Sequence, residues 1–232
     1  MSKIYLIKQH IRKLPFVKRI LIKRDDQRMR AQMKRAGTDI ESYGLEVMRA
    51  FVTAAEETGV SVFCTFGTLL GIVREGHFLK QDSDMDFGFI VKRKEEWRAL
   101  ELAFRKAGFT KSREFSYSGR VTEQTYESHS VSIDLFGYYK TNNSVISYAY
   151  RRDYDTVYPD RNSYTAYYHS APSFDGVEMM DCDYGRVPVP EKPERYLESV
   201  YGEGWRVPSG WENGSGPNIT FLPGFGYLTS RS

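Results

Sequence analysis

A chain of 232 residues with a 41% hydrophobic share and 15% aromatics is long enough to bury a sizeable core and too apolar for disorder. Its net charge of +3 averages two unlike regions: residues 1–36 hold twelve Lys/Arg against two Asp, a local +10, which leaves −7 for the rest. An acidic body is not built around nucleic acid, whose phosphates dominate affinity, and no apolar run reaches the roughly 18 residues that a bilayer crossing needs.

Residues 3–24 place Ile4, Ile7, Ile11, Leu14, Val17 and Leu21 at three- and four-residue steps among Lys and Arg. This is the pattern of a basic amphipathic helix, with Pro15 forcing a kink or a break. Two readings of this arm stay open: a peripheral anchor on an anionic membrane surface, or a helix packed on the body or on a partner. The arm is charged throughout and has no small-residue cleavage site, so no secretory signal is expected. A boundary at residue 36 separates this arm from a body at 37–232.

The run from Asp39 to Gly59 sets Leu45, Met48, Val52 and Ala55 on one face and predicts a helix closed by Gly59. "VSVFCTFG" follows as a buried strand with a glycine turn, "TLLGIVREG" as two helical turns, "MDFGFIV" as a strand and "KEEWRALELAFRKAG" as a helix closed by Gly108. Segments 109–119 and 130–140 read as strands. The order α, β, α, β, α, β, β predicts an α/β (α+β) body with a mixed sheet flanked by helices.

Residues 138–168 hold nine of the seventeen tyrosines, read first as ordinary strand residues and second as platforms for a sugar ring. The C-terminal third predicts a hairpin, a short helix near 194–201 and a Gly/Pro-rich tail. Cys64 and Cys182 lack metal-binding spacing and read as buried free thiols of a reducing, cytoplasmic compartment. His10, His77, His129 and His169 show no metal spacing either.

The chemistry concentrates in "FGTLLGIVREGHFLKQDSDMDF", residues 66–87. Asp84 and Asp86 are one residue apart on a predicted strand, so both carboxylates point to one face, where they repel unless a cation lies between them. Mg²⁺, or Mn²⁺ in its place, takes such oxygen ligands together with substrate phosphates. Asp134, in the apolar run "SVSIDLFGYY", is costly to bury alone. If its strand lies beside that of Asp84 and Asp86, the three acids converge on one or two metals. Gly67 and Thr68 close a strand and open a helix, where free N–H groups favour an anion, and Arg74 and Lys80 are further candidates for donor phosphate. Asp82 sits just ahead of the strand and reads as a turn or supporting residue.

The combination resembles the LicD/fukutin-related family, which pairs a G-T-x-L-G-x-x-R element with a D-D-D-I-D block. "IDLFGYY" is similar to its third acidic element, and "VPVPEKPERYLESVYGEGWRVP" to its usual ending, so the likeness spans roughly residues 40–210. It implies a nucleotidyltransferase fold that moves a phospho-alcohol, such as phosphocholine, ribitol phosphate or glycerol phosphate, from a CDP-linked donor to a hydroxyl of a cell-surface glycan. Asp84, Asp86 and Asp134 would be the catalytic and metal-ligating acids, and Gly67 and Thr68 would bind donor phosphate. Gln81 and Ser83 depart from the pattern, standing where the family usually has tryptophan and the middle aspartate.

Two other classes compete. A D-x-D sugar transferase usually has a nucleotide-binding α/β half of about a hundred residues ahead of its D-x-D, and Asp84 arrives too early for that. A non-catalytic module would use the arm to grip membrane or nucleic acid and leave the acids as a solvated rim.

Overall fold

A computed structural model describes residues 3–80, 82–208 and 215–230, so Gln81 lies outside the described residues. Two helices open the chain, α1 (Lys3–Lys13) and α2 (Pro15–Glu56). Pro15 makes the expected break and then starts α2 at its first position, where a missing N–H costs nothing. The 42-residue α2 runs without interruption past position 36, so the charge boundary and the helix boundary do not coincide.

Then come β1 (Phe63–Cys64), α3 (Phe66–Glu75), β2 (Met85–Ile90) and α4 (Glu95–Lys106), as the sequence predicts. The strands β3 (Thr110–Tyr117), β4 (Arg120–Ser128), β5 (Val131–Lys140), β6 (Ser144–Arg151) and β7 (Ser163–Pro172) follow. The chain ends with a β8 (Val177–Cys182) and β9 (Gly185–Pro190) hairpin, α5 (Pro193–Tyr201) and β10 (Ile219–Ser230). Strands β4, β6 and β7 and the tail strand β10 are additions to the expected order. The tail is a twelve-residue strand inserted between β3 and β7.

The large sheet has the order β1-β2-β5-β4-β3-β10-β7-β6, and β6 also pairs with the end of β5, so six of its strands close on themselves. Only the β2–β5 pair is parallel within it, giving the mixed α/β architecture expected. The core lies where the second half of α2 and α4 cover the sheet. Phe51 of α2 stacks on Phe104 of α4 at 3.9 Å and touches Phe87, Phe109 and Tyr126.

The glycines of α2 set how closely it approaches. A Cβ on Gly44 would meet the Met85 side chain at 2.7 Å, and one on Gly37 would meet the Lys80 carbonyl oxygen at 3.0 Å. The helix is thus pressed against the loop that leads to the acidic block.

The tyrosines fill structural roles. Tyr150 stacks on Phe115 at 4.6 Å, and the hydroxyls of Tyr138 and Tyr196 each lie 2.5 Å from Thr65 Oγ1 in a buried cluster. Cys64 is buried and free, and Cys182 is free but only half-buried, because β8 and β9 form a separate two-stranded layer.

His169 on β7 is buried against Phe66 and Tyr167, and burial lowers its pKa to about 4. The unfolded chain, near 6.5, therefore binds more protons between these values, and stability is lost as pH falls through that window. In urea melts, the stability advantage of the wild type over His169→Gln should shrink by roughly 2–3 kcal/mol between pH 7.5 and pH 4.5.

Candidate active site

The parallel pairing of β2 with β5 sets Asp86 directly opposite Asp134. The same row continues through Thr125 of β4 to Arg113 of β3, because Asp134 pairs with Thr125 and Thr125 with Arg113. Four side chains from four strands thus share one level of the sheet. Thr125 Oγ1 donates to Asp134 Oδ1 at 2.5 Å, and the Arg113 guanidinium lies 3.5 Å from the same oxygen. The condition set by the sequence, that the strand of Asp134 lie beside that of Asp84 and Asp86, is met for Asp86, while Asp84 stands one residue ahead of β2.

Asp86 is held from the other side by the strand-to-helix turn. Gly67 N–H donates to Asp86 Oδ2 at 2.9 Å, and the Asp86 N–H donates to Thr68 Oγ1 at 2.8 Å. A Cβ on Gly67 would stand 2.9 Å from Asp82 Oδ2 and 3.2 Å from Asp86 Oδ2, so only glycine leaves room for both carboxylates. Gly67 and Thr68, expected to face donor phosphate, here orient an acid. Asp82, expected as a turn residue, does follow a turn closed by its N–H to Leu79, yet its carboxylate crowds the same spot as Asp86.

Burial is the main force on all these acids. It raises Asp82 to about 6 and Asp84 to about 7, with Asp134 and Asp82 pushing Asp84 further. Asp86 is driven well above the carboxylate range by burial, then by Asp84, Asp134 and Asp82, against the pull of the Gly67 N–H. Asp134 is raised by burial and lowered by Arg113 and Thr125.

A fifth carboxylate, Glu123 of β4, was not foreseen. It lies two residues before Thr125 and hence on the same face, is buried, and is raised well above its ordinary value by burial and by Asp134. Five acids therefore share this region with the Arg113 guanidinium drawn into their midst and with Arg74, which lowers Asp82 against the effect of burial.

Such a set of hard oxygens, short of positive charge, suits a divalent cation of the Mg²⁺ type. As placed, no three His, Cys, Asp or Glu side chains among the described residues form a group that encloses a metal ion. The expected three-acid ligand cluster is therefore not closed. Asp134 is turned to Thr125 and Arg113, which leaves the Asp84 and Asp86 pair as the ligands that fit, in the manner of a cation held by two carboxylates plus substrate phosphates.

Arg74 lies close enough to Asp82 to lower its pKa against the effect of burial, whereas Lys80 has no contact with the acids among the described residues. The Arg74 guanidinium also pairs with Glu75 at 2.7 Å and donates to the Trp205 carbonyl, while Lys80 is exposed on the loop beside Gly37. A cleft of about 900 Å³ opens beside the acidic row, with Ser83, Arg113 and Ser132 on one side and Arg28, Arg35 and Asp39 of α2 on the other. His129 borders this region through the β4–β5 turn, where it stacks on Tyr43 of α2, and His77 bonds to the neighbouring Phe78 carbonyl. Neither has a contact with the acids.

Two comparisons bear on this site. No curated protein matches the chain in sequence. Residues 59–170 match the LicD/FKTN/FKRP nucleotidyltransferase domain, a stretch from the turn after α2 through most of β7 that contains Gly67, Thr68 and every acid of the row. The α5 motif and the cleft wall on α2 lie outside it. The match supports the family that the motifs resemble: residues 59–170 form a LicD/fukutin-related nucleotidyltransferase domain, which supports a transferase role.

Proposed function

We propose that this protein transfers a phospho-alcohol from a CDP-linked donor to a hydroxyl of a glycan, using Mg²⁺ held by Asp84 and Asp86. The observation that carries this reading is the register that sets the half-buried Asp86 opposite the half-buried Asp134. A bound cation would neutralise charge on the donor diphosphate as it reacts. The acceptor oxygen forms a bond to the transferred phosphorus, the bond to the CMP oxygen breaks, and CMP leaves with that electron pair.

Asp134 is the residue suited to take the acceptor hydroxyl's proton. Its raised pKa improves it as a base, and Thr125 and Arg113 fix the oxygen they contact, leaving the other to receive the proton. Arg113 gives a fixed positive charge at the edge of the cleft. Gly67 and Thr68 act by orienting Asp86, and the Asp82 and Glu123 carboxylates strengthen the negative field that attracts a cation.

The reaction is tested by CMP release from CDP-choline, CDP-ribitol and CDP-glycerol with Mg²⁺ and a mixture of glycan acceptors. At least one donor should turn over, and Asp84→Asn should cut that rate about a hundredfold or more. Turnover of a nucleotide-sugar alone would return the site to the sugar transferases.

Two further outcomes follow from the crowding. Removing one buried charge from a group of like charges relieves repulsion, so metal-free Asp84→Asn should melt no lower than the wild type in urea. Gly67→Ala should fold but lose activity, since its methyl group displaces Asp82 and Asp86 together. A Gly67→Ala protein of wild-type activity would show that the position of Asp86 is unimportant.

A further inference from the structure

The N-terminal helices are mounted on the body by their polar side. Tyr5 Oη donates to the Asp160 carbonyl at 2.5 Å, Arg152 donates to Tyr5 Oη, and Lys18 pairs with Asp155 at 2.5 Å. Tyr154 Oη donates to Asp25 at 2.5 Å, and the Arg12 guanidinium lies over the Tyr154 ring. One loop, residues 152–160, makes all of these contacts. An amphipathic helix that packs for stability buries its apolar stripe, and here the arrangement is reversed.

The stripe faces outward from Ile4 to Leu14, while Val17 and Leu21 of α2 are half-buried. Ile4, Ile7 and Ile11 of α1 are 65%, 58% and 47% exposed, and the row continues through Leu14, Phe16 and Ile20. Lys8, Arg19 and Lys23 are exposed among them. A shallow apolar groove edged by Leu6, Ile7, His10 and Ile11 opens on this face. No helix among the described residues is long and apolar enough to cross a membrane, so a surface of this kind lies on its partner rather than through it.

We infer that this face docks on an anionic phospholipid surface. Apolar side chains at this spacing enter the headgroup region, and the +10 charge of residues 1–36 is attracted by acidic lipid, so both terms act in one direction. A second copy of this chain would bring the same positive face against itself, which the charge opposes.

Docking also fixes where the cleft stands. From Ile20 to Arg35 the single helix α2 covers fifteen residues, about 22 Å at 1.5 Å per residue, so the cleft lies no farther than that along the helix from the apolar row. If the proposed transferase reaction holds, its acceptor is a glycan carried on a lipid and presented close to the bilayer. The docking itself does not rest on that reaction.

The test is co-sedimentation of the full chain with phosphatidylcholine vesicles, with and without roughly a third phosphatidylglycerol. The wild type should sediment with the anionic vesicles and stay in solution with pure phosphatidylcholine. Ile7→Asp/Ile11→Asp should bind the anionic vesicles at least about tenfold more weakly. Both positions are exposed, and an unchanged circular dichroism spectrum would show that the variant is folded. A wild type that ignores anionic vesicles, or a folded double variant that binds as well as the wild type, overturns the inference. A concentration-dependent dimer that the double variant abolishes, without vesicle binding, would give the face to a second copy instead. None of these readouts needs turnover, so failure here leaves the proposed reaction standing and failure of the reaction leaves the docking standing.

Discussion

The candidate site depends on one strand pairing. Because β2 runs parallel to β5 with Asp86 opposite Asp134, two half-buried carboxylates stand on strands about 4.8 Å apart. Burial raises all of the acids here, and neighbouring carboxylates push Asp86, Asp84 and Glu123 further. A fold does not gather five acids for stability, since each is costly to bury and worse beside another. The surrounding contacts hold that unfavourable group in place: the Gly67 N–H on Asp86, Thr125 and Arg113 on Asp134, and the close packing of α2 at Gly37 and Gly44.

The long helix connects this site to the rest of the molecule. Its second half buries Phe51 in the aromatic core, its middle supplies Arg28 and Arg35 to the cleft, and its first turns carry exposed apolar residues. The arm is therefore not an appendage that ends where the catalytic body begins. One continuous helix spans the outer face, the cleft and the core, which ties any surface the arm meets to the orientation of the cleft.

Much of this was legible in the sequence where the pattern was strongly periodic. The helices at Asp39–Gly59 and 94–108, the strands carrying Asp86 and Asp134, and the turn at Gly67 all appear near their expected places. Strand β4 was missed because "RVTEQTYES" is polar on both faces. Its polar residues are buried in the sheet and beside the site, so the apolar alternation that normally marks a strand is absent. With β4 went Thr125 and Glu123, although Val121, Thr122, Thr125 and Tyr126 are good strand formers after a Ser-Gly turn. Strand β10 was hidden by Pro223 and its glycines, which break the run "ITFLPGFGYLTS" at the irregularity between Phe221 and Phe225. Arg113 could not have been found from spacing, since only the β3–β4–β5 register brings it to Asp134. Arg74 and Lys80 lie between the motifs in sequence; Arg74 acts on Asp82 but is engaged by Glu75 and the Trp205 carbonyl, and Lys80 is exposed.

The central claim is that the buried acids exist to hold a cation. It is tested most directly by titrating the protein with Mn²⁺ and following the free-ion signal by electron paramagnetic resonance. The wild type should take up Mn²⁺, Mg²⁺ should displace it, and Asp86→Asn should lose the binding while remaining folded. A wild type that leaves the Mn²⁺ signal unchanged, or a folded Asp86→Asn that binds as tightly, would contradict it.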